Sequence, residues 1–327
     1  MTALVPGAWS PSRNDSMLKT AIGIDIGGTN LRAGRVSERG DVAGWISEKI
    51  SKHPGSVLDR LSAICRCLND GSVRGIGIGV PGRVDSRRRI VLSGGYLDLG
   101  QVKLVECLEL ASGLTVNLDN DCNMALVAEM TRGAAQGASN VVMFTIGTGI
   151  GGAVATDGRI LRGRATAGQL GHLTIDREGV VCACGRSGCV ETVSSGTALG
   201  RMIAEAGMPS GVGVDDLFER ERRGDPSSTS ILDRWAKPLR AAIDSMVAAV
   251  DPELVLLGGG LGHAAFRALA RAPARSEWYQ CPIAAAQLGD SAGVIGAALA
   301  VFTSGMGAYE SLIEHETSFG ARGASTS

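Results

Sequence analysis

The same local pattern occurs twice in this sequence, and that duplication limits the possible folds more than any other feature. An apolar strand runs into a glycine turn, a second strand returns, and a polar turn leads to a third strand. This happens in "IDIGGTNLRAGRVSERGDV", residues 24–42, and again in "FTIGTGIGGAVATDGRIL", residues 144–161. Helices and strands alternate after the duplicated units. The pattern predicts an α/β protein with two domains that face a cleft.

The chain of 327 residues is long enough for two domains that each bury a core. No linker rich in Pro or Gly separates them, so we expect a compact hinge. The expected divisions are a disordered N-terminal extension at 1–17, a small domain at 18–118, a large domain at 119–303 and a flexible tail at 304–327. Helices are predicted at 56–69, from near Asp121, at 231–250 and at 292–303, and the last is expected to pack back on the small domain.

Charge and hydropathy exclude several functional classes. A net charge of −1 provides no field that attracts nucleic acid or an anionic membrane, so neither is expected as a partner. No apolar run is long enough to span a bilayer, and the first residues lack the pattern of a signal peptide. We therefore expect a cytoplasmic protein in which the eight cysteines are reduced.

Three glycine turns, each at the end of an apolar strand, are candidate phosphate-binding loops. Unshielded backbone N–H groups can approach phosphate oxygens, and the carboxylate of Asp25 can hold Mg²⁺. One such turn is more typical of an ordinary hairpin, but three are harder to explain in that way. A dinucleotide-binding fold is disfavoured because a strand, not a helix, follows the first turn. The candidate residues are Asp25, Gly27, Gly28, Thr29, Asn30, Gly147, Thr148, Gly149, Gly151, Gly258, Gly259 and Gly260.

One histidine and three cysteines lie close together in "GHLTIDREGVVCACGRSGCVE", residues 171–191. His172, Cys182, Cys184 and Cys189 are the ligand types of a closed tetrahedral zinc site. One alternative is a disulfide with a third cysteine left over, which a reducing compartment disfavours. The other is a catalytic cysteine, which is disfavoured because metal-bound thiolates are already committed. We expect zinc, and we interpret the cysteines elsewhere in the chain as small apolar side chains.

The strand "TVNLDN" leads into a predicted helix near Asp121. On its residues alone, the Asn120–Asp121 pair is more typical of a helix N-cap than of a catalytic site. A carboxylate at a strand end can also take the proton of an acceptor hydroxyl during phosphoryl transfer. Both roles can coexist, because capping and exposure in a cleft require the same position.

Six motifs occur in order between residues 20 and 300: "DIGGTN", "PGRVD", "NDCN", "GTGIGG", "GHLTID" with "CACGRSGCVE", and "LGGG". Together they resemble the ROK family of sugar kinases and related repressors. The resemblance implies an actin-like, ribonuclease-H-like two-domain fold, ATP with Mg²⁺, structural zinc, a hexose-type substrate and a homodimer or homotetramer. The repressor branch carries a helix-turn-helix before "DIGGT". Only a short stretch precedes Ile22 here, so we expect the kinase branch.

The resemblance also implies individual roles. Asp121 is implied as the catalytic base, and Glu191 and His172 are implied to bind hydroxyls near the anomeric end of the sugar. We expect an ATP-dependent phosphotransferase acting on the primary hydroxyl of glucose, an N-acetylhexosamine, an amino sugar or a cyclitol. The alternative is a non-catalytic sugar-binding regulator, which the intact Asp25, glycine turns and Asp121 disfavour. The expected substrate ligands are Gly82, Arg83, Asn120, Asp121, Gln169, His172 and Glu191.

Gln169 departs from the family pattern. The kinases that this chain resembles have AGE-x-GH where it has "AGQLGH", and their glutamate binds sugar hydroxyls. A carboxamide offers one acceptor and two donor hydrogens, whereas a carboxylate only accepts. We expect Gln169 to orient a substrate that differs from glucose near C1–C3, such as an acylamino sugar or a cyclitol. The alternative is a tolerated exchange that leaves substrate choice unchanged.

Overall fold

The computed structural model describes residues 18–50, 53–93, 99–100 and 102–303. The extension and the tail expected at 1–17 and 304–327 lie outside these residues. Among the helices that are described, none has the length and apolar character needed to cross a membrane. The described residues have the mixed α/β structure that the sequence predicts.

The helices and strands follow one another in a simple order along the chain. Within the part of the chain that the structure describes, two short 3₁₀ helices lie at Leu170–His172 and Gly289–Ser291. The other elements are β1 (Thr20–Ile26), β2 (Asn30–Ser37), β3 (Val42–Lys49), α1 (Pro54–Leu68), β4 (Val73–Val80), β5 (Arg83–Asp85), β6 (Ile90–Ser93), α2 (Leu104–Ser112), β7 (Val116–Asn120), α3 (Asp121–Arg132), β8 (Val141–Ile146), β9 (Ile150–Thr156), β10 (Arg159–Ile160), α4 (Glu191–Ser194), α5 (Gly196–Glu205), α6 (Val214–Arg222), α7 (Pro226–Val250), β11 (Leu254–Gly258), α8 (Gly262–Leu269), β12 (Ile283–Ala285) and α9 (Ala292–Thr303).

The two larger sheets have the same topology, which confirms the duplication. One sheet has the strand order β3-β2-β1-β4-β7, and the other has the order β10-β9-β8-β11-β12. In the first, β1 is antiparallel to β2 and parallel to β4, and β4 is parallel to β7. In the second, β8 is antiparallel to β9 and parallel to β11, and β11 is parallel to β12. Each hairpin therefore carries one of the two glycine turns identified in the repeat.

The chain divides into two compact units, and the division differs from the expected boundary after residue 118. The first unit contains the described residues up to Gly137, the segment Asp157–Ala167, and the described residues from Asp290 onward. The second contains Ala138–Thr156 and Gly168–Gly289. Helix α3, expected in the large domain, therefore belongs to the first unit together with α9.

Close backbone packing explains why α3 and α9 belong to the first unit. A Cβ atom added to Gly23 of β1 would lie 1.9 Å from the carbonyl oxygen of Val294, so the sheet and α9 approach each other too closely for any side chain there. Helix α9 also packs against α3, where a Cβ atom on Gly296 would lie 1.7 Å from the carbonyl oxygen of Met124. Helix α3 contacts the sheet as well, since a Cβ atom on Gly79 of β4 would lie 3.1 Å from Asp121 Cα.

The opposite face of this sheet buries apolar side chains against α1. Ile22 and Ile24 of β1 share one core cluster with Leu61 and Ile64 of α1. Because both faces of β1 are covered, the strand is apolar along most of its length. Asp25, near the end of the strand, is polar and half-buried.

Helix boundaries differ modestly from those predicted. The helix expected at 231–250 begins five residues earlier, at Pro226. Proline is compatible with the first helical position, and the side chain of Asp225 caps the helix by accepting a hydrogen bond from the Ser227 N–H at 3.1 Å. Helix α9 has the predicted bounds. Helices α2, α5, α6 and α8 were not identified from the sequence.

Candidate active site

Asn120 and Asp121 stand where β7 ends and α3 begins. Asn120 caps the helix: its Oδ1 accepts hydrogen bonds from the backbone N–H groups of Cys122 at 2.9 Å and Asn123 at 3.3 Å. Its Nδ2 donates to the carbonyl oxygen of Gly82 at 3.0 Å. Both ends of the carboxamide therefore bind within the protein, and Asn120 holds the loop after β4 to the start of α3.

The Asp121 carboxylate has the properties of a general base. Burial raises the pKa of Asp121 to about 6, and hydrogen bonding to Cys122 opposes that shift. The Oδ1 atom accepts the bond from the Cys122 N–H at 2.9 Å. A carboxylate with this pKa is largely ionised at neutral pH and is more basic than an ordinary aspartate. The arrangement can therefore accept a proton from a bound hydroxyl.

Asp25 lies near the end of β1 in the same unit. Burial, followed by the negative charge of Asp121, raises the pKa of Asp25 to about 7, while Arg32 opposes the shift. Arg32 Nη1 is 3.7 Å from Asp25 Oδ2, and Arg32 Nη2 is 2.9 Å from Asp290 Oδ1. A divalent cation would stabilise the ionised form of Asp25, and carboxylate oxygen is a ligand that Mg²⁺ prefers. Asp25 therefore fits a magnesium site.

Gly293, in the first turn of α9, lies directly against Asp25. A Cβ atom at this position would be 2.5 Å from Asp25 Cγ and 2.7 Å from its Oδ1. The first turn of a helix carries partial positive charge on its free N–H groups, which favours an anionic neighbour. Glycine at 293 thus allows the carboxylate to occupy this position.

A backbone hydrogen bond closes each of the first two glycine turns. In the turn between β1 and β2, the Gly27 N–H donates to the Asn30 carbonyl oxygen at 2.9 Å. In the turn between β8 and β9, the Gly147 N–H donates to the Gly149 carbonyl oxygen at 2.9 Å. A Cβ atom on Gly147 would meet nothing within 4 Å, so space is open beside this backbone.

The N-terminus of α5 fixes the second turn. The Gly196 N–H donates to the Gly147 carbonyl oxygen and the Thr197 Oγ1 donates to the Thr148 carbonyl oxygen, both at 2.8 Å. In the third turn, Gly259 has a φ of 78°, and a Cβ atom there would lie 2.5 Å from the carbonyl oxygen of Ile146. The second and third turns therefore approach each other at the ends of β8 and β11.

Glu191 and Gln169 belong to the second unit with the metal-ligand candidates. Glu191 begins α4, and its Oε2 accepts a hydrogen bond from the Ile150 N–H of β9 at 2.7 Å. Gln169 is half-buried, and its backbone carbonyl oxygen accepts a hydrogen bond from the His172 backbone N–H at 3.1 Å. Glu191 therefore connects the end of the cysteine motif to the second glycine turn.

The one nitrogen and three sulfur atoms converge as a metal site requires. The donor atoms of His172, Cys182, Cys184 and Cys189 lie within 4.8 Å of one another. Cys182 Sγ is 3.6 Å from His172 Nδ1, and Cys184 Sγ is 3.6 Å from Cys189 Sγ. A tetrahedral zinc ion with Zn–S bonds of about 2.3 Å separates two sulfur atoms by about 3.8 Å. The spacing fits zinc and excludes a disulfide, and the cysteines are free.

The thiolate form of one ligand is favoured locally. A hydrogen bond from the Arg186 backbone lowers the pKa of Cys184 to about 7. The thiolate is the form that binds a metal ion. Among the cysteines outside this cluster, Cys65 and Cys122 are buried, as expected for apolar side chains, while Cys67 is exposed.

The structure brings the candidates together in two sets. Gly82 lies beside Asn120, and Asp25 interacts electrostatically with Asp121. Arg83 is exposed at the start of β5. The second set contains the second and third glycine turns, Gln169, Glu191 and the metal-ligand candidates.

Sequence reasoning missed two charged residues beside the first set. Asp119 is a buried aspartate directly before Asn120, and the Arg162 Nε donates to its Oδ2 at 2.8 Å. A charged residue inside the apolar strand "LTVNLDN" was the available signal for Asp119. The sequence held no comparable signal for Arg162.

Residues 21–303 match the ROK family. The chain is 34% identical to a glucokinase from Thermotoga maritima over 261 residues, which are 74% of this chain and 82% of that protein. It is 32% identical to an N-acetylmannosamine kinase from Yersinia pseudotuberculosis over 294 residues, 86% and 98% of the two chains. A ROK family glucokinase from Streptomyces griseus, solved in complex with glucose and AMPPNP, has a TM-score of 0.73 and 30% identity, covering 85% of this chain and 98% of its own.

Proposed function

This chain belongs to the ROK family, has its actin-like fold and is a sugar kinase, and we propose that it transfers the γ-phosphoryl group of ATP to the primary hydroxyl of a hexose or hexose-like acceptor. The observation that carries the proposal is Asp121, a carboxylate at a strand end with a pKa of about 6. The relatives include a glucokinase and an N-acetylmannosamine kinase, so they do not fix the acceptor.

Asp121 acts as the general base in this proposal. It accepts the proton of the acceptor hydroxyl while that oxygen bonds to the γ-phosphorus and the bond from phosphorus to the ADP oxygen breaks. Phosphoryl transfer needs mainly positioning and charge stabilisation, and a single base of suitable pKa completes it. Ionised Asp121 predominates above pH 6, which suits a reaction at neutral pH.

The nucleotide ligands are proposed from the glycine turns and Asp25. Gly27, Gly28, Thr29 and Asn30 and the turns at 147–151 and 258–260 would bind phosphate oxygens through backbone N–H groups and the Thr29 hydroxyl. Asp25 would hold Mg²⁺, directly or through water. The ion would neutralise charge on the phosphates as the bond to the leaving oxygen breaks.

Residues of both sets of candidates are proposed to bind the sugar. Asp121 receives the hydroxyl that reacts, and Gln169, His172 and Glu191 orient the ring. Gly82, Arg83 and Asn120 shape the rim of the sugar site. The Asn120 carboxamide already forms hydrogen bonds within the protein. This supports an indirect role for Asn120, through its bond to Gly82, in addition to the proposed contact with a sugar hydroxyl. Gln169 can donate a hydrogen bond, which supports an acceptor with an acyl oxygen or another acceptor atom near C1–C3.

Zinc is proposed as a structural ion held by His172, Cys182, Cys184 and Cys189. Four protein ligands leave no open position, so the ion would fix the segment and supply no catalytic water. Glu191 follows Cys189 closely, and zinc would therefore restrict its position. The chain is also proposed to form a homodimer or homotetramer, which the molar mass in solution would test.

A coupled ATPase assay over hexoses, N-acetylhexosamines, amino sugars and cyclitols tests the proposed function. We expect turnover with at least one acceptor and a fall in kcat of roughly 10²–10⁴-fold in Asp121→Asn, with sugar binding largely retained. Asp59→Asn, an exposed change on α1, is the matched control. Near wild-type turnover in Asp121→Asn would contradict the assignment of Asp121 as the general base. A wild type that binds sugars and phosphorylates none, together with an active Gln169→Glu, would favour the regulator.

A further inference from the structure

Asp119 is a buried carboxylate next to Asn120 and Asp121, and the protein satisfies both of its oxygen atoms. Its side chain is 6% exposed. The Oδ1 atom accepts hydrogen bonds from the Asn120 N–H at 2.7 Å and from Asn123 Nδ2 at 2.9 Å. These bonds fix the backbone immediately before Asp121 and the side chain two residues after it.

Arg162 neutralises the buried charge. Its Nε lies 2.8 Å and its Nη2 lies 2.6 Å from Asp119 Oδ2, so two nitrogens of the guanidinium bind one oxygen. The carbonyl oxygen of Arg162 accepts hydrogen bonds from the N–H groups of Ala165 at 2.9 Å and Ala167 at 3.3 Å. The backbone and side chain of Arg162 therefore join the turn at 162–167 to the end of β7.

The segment that carries Arg162 has an unusual place in the chain. Asp157–Ala167 belongs to the first unit, whereas the residues on both sides of it belong to the second. Gln169 follows two residues after the segment ends. The ion pair with Asp119 therefore holds this short segment in place, and the chain continues from the segment directly to a proposed sugar ligand.

We propose that Asp119 and Arg162 are a positioning pair for the acceptor site. Arg162, acting through Asp119, holds Asn120 and Asp121 in the geometry that proton transfer requires. The inference rests on the proposed role of Asp121 as the base. Neither member of the pair is placed in contact with the reacting atoms.

Loss of Arg162 changes the site for an electrostatic reason. A buried carboxylate without its cationic partner is strongly unfavourable, so the Asp119 side chain turns toward water. This movement weakens its bonds to Asn120 and Asn123, and the strand end that carries Asp121 can shift. A misplacement of about 1 Å lowers a rate by about 10²-fold. The bonds of Asp119 go to Asn120, Asn123 and Arg162 and not to the glycine turns, so we expect nucleotide affinity to stay unchanged.

The test compares Arg162→Gln with Arg164→Gln, using an acceptor sugar identified in the panel. Arg164 lies in the same segment and is exposed, which makes it the matched control. We expect Arg162→Gln to lower kcat by roughly 10–100-fold with KM for ATP unchanged, and Arg164→Gln to match the wild type. A pair that only stabilised the fold would lower the melting temperature and leave kcat of the folded enzyme unchanged.

Two further variants test the pair as a unit. Arg162→Lys keeps the charge but lacks the fixed fork of donors, so an intermediate kcat is expected. Asp119→Asn combined with Arg162→Gln removes both charges and keeps an acceptor for the Asn120 N–H. The double variant should therefore be more active than Arg162→Gln alone. A double variant whose losses simply add would count against coupling.

The outcomes separate this inference from the proposed function. An active wild type with equal kcat in Arg162→Gln and Arg164→Gln overturns the positioning pair and leaves the kinase intact. A wild type that phosphorylates no sugar instead refutes the proposed function. Hydrogen–deuterium exchange over residues 119–124 then decides the positioning claim: faster exchange in Arg162→Gln than in Arg164→Gln supports it, and equal exchange overturns it.

Discussion

Replacing Gly293 with alanine should strongly lower activity while leaving the fold intact. The new Cβ would lie 2.5 Å from Asp25 Cγ, whereas two carbon atoms pack at about 3.5–4.0 Å. The Asp25 carboxylate must therefore move by about 1 Å or more. Misplacement of a reacting or ligand group by about 1 Å lowers a rate by about 10²-fold. Because Asp25 is the proposed magnesium ligand, the Mg²⁺ concentration for half-maximal rate should also rise.

The fold should tolerate this change because the three nearest atoms, Cγ, Oδ1 and Cβ of Asp25, all belong to one side chain. Alanine is also favoured over glycine inside a helix by up to about 1 kcal/mol. The matched control is Gly200→Ala in α5, an exposed helical position where a Cβ meets nothing within 4 Å. Initial rates over a Mg²⁺ titration and thermal melting would be measured for both variants. Equal rates for Gly293→Ala and Gly200→Ala would refute the reasoning that the position of Asp25 limits catalysis.

Three other properties are open to direct measurement. Purified protein should contain one zinc ion per chain, and a zinc chelator, with Mg²⁺ restored, should remove activity and cooperative melting together; active protein without zinc would contradict this. The pKa of Asp25 is raised from 3.8 to about 7 in the folded protein, so its contribution to stability is present below pH 4 and is lost as the pH rises through 7. Asp25→Asn should accordingly be more stable than the wild type at pH 8 but not at pH 4 in urea unfolding, and a less stable variant at pH 8 would oppose the assignment. Gln169→Glu should reorder kcat/KM across the sugar panel, and an unchanged order would leave Gln169 without a role in specificity.

Local patterns in the sequence predicted the fold well where periodicity and turn chemistry act over short distances. The duplicated hairpins around Gly27 and Gly147 follow from glycine at the turns and apolar residues in the strands. The convergence of the four candidate metal ligands could also be predicted, since the three cysteines lie within a short segment with glycines that permit sharp turns. Helix α9 was placed correctly because "AGVIGAALAVFT" is apolar almost throughout.

The sequence by itself thus determined the duplicated α/β topology and indicated a candidate metal-ligand set and a candidate base. Only the tertiary structure decided which residues lie around Asp121 and Asp25. The pKa of Asp121 depends on burial, and the contacts of Asp119 with Arg162 and of Asp25 with Gly293 join segments that are far apart in the chain. The boundary between the units also followed α9, which packs against β1 and α3 through glycine contacts. Such contacts arise from the packing of whole elements, and local propensity carries no information about them.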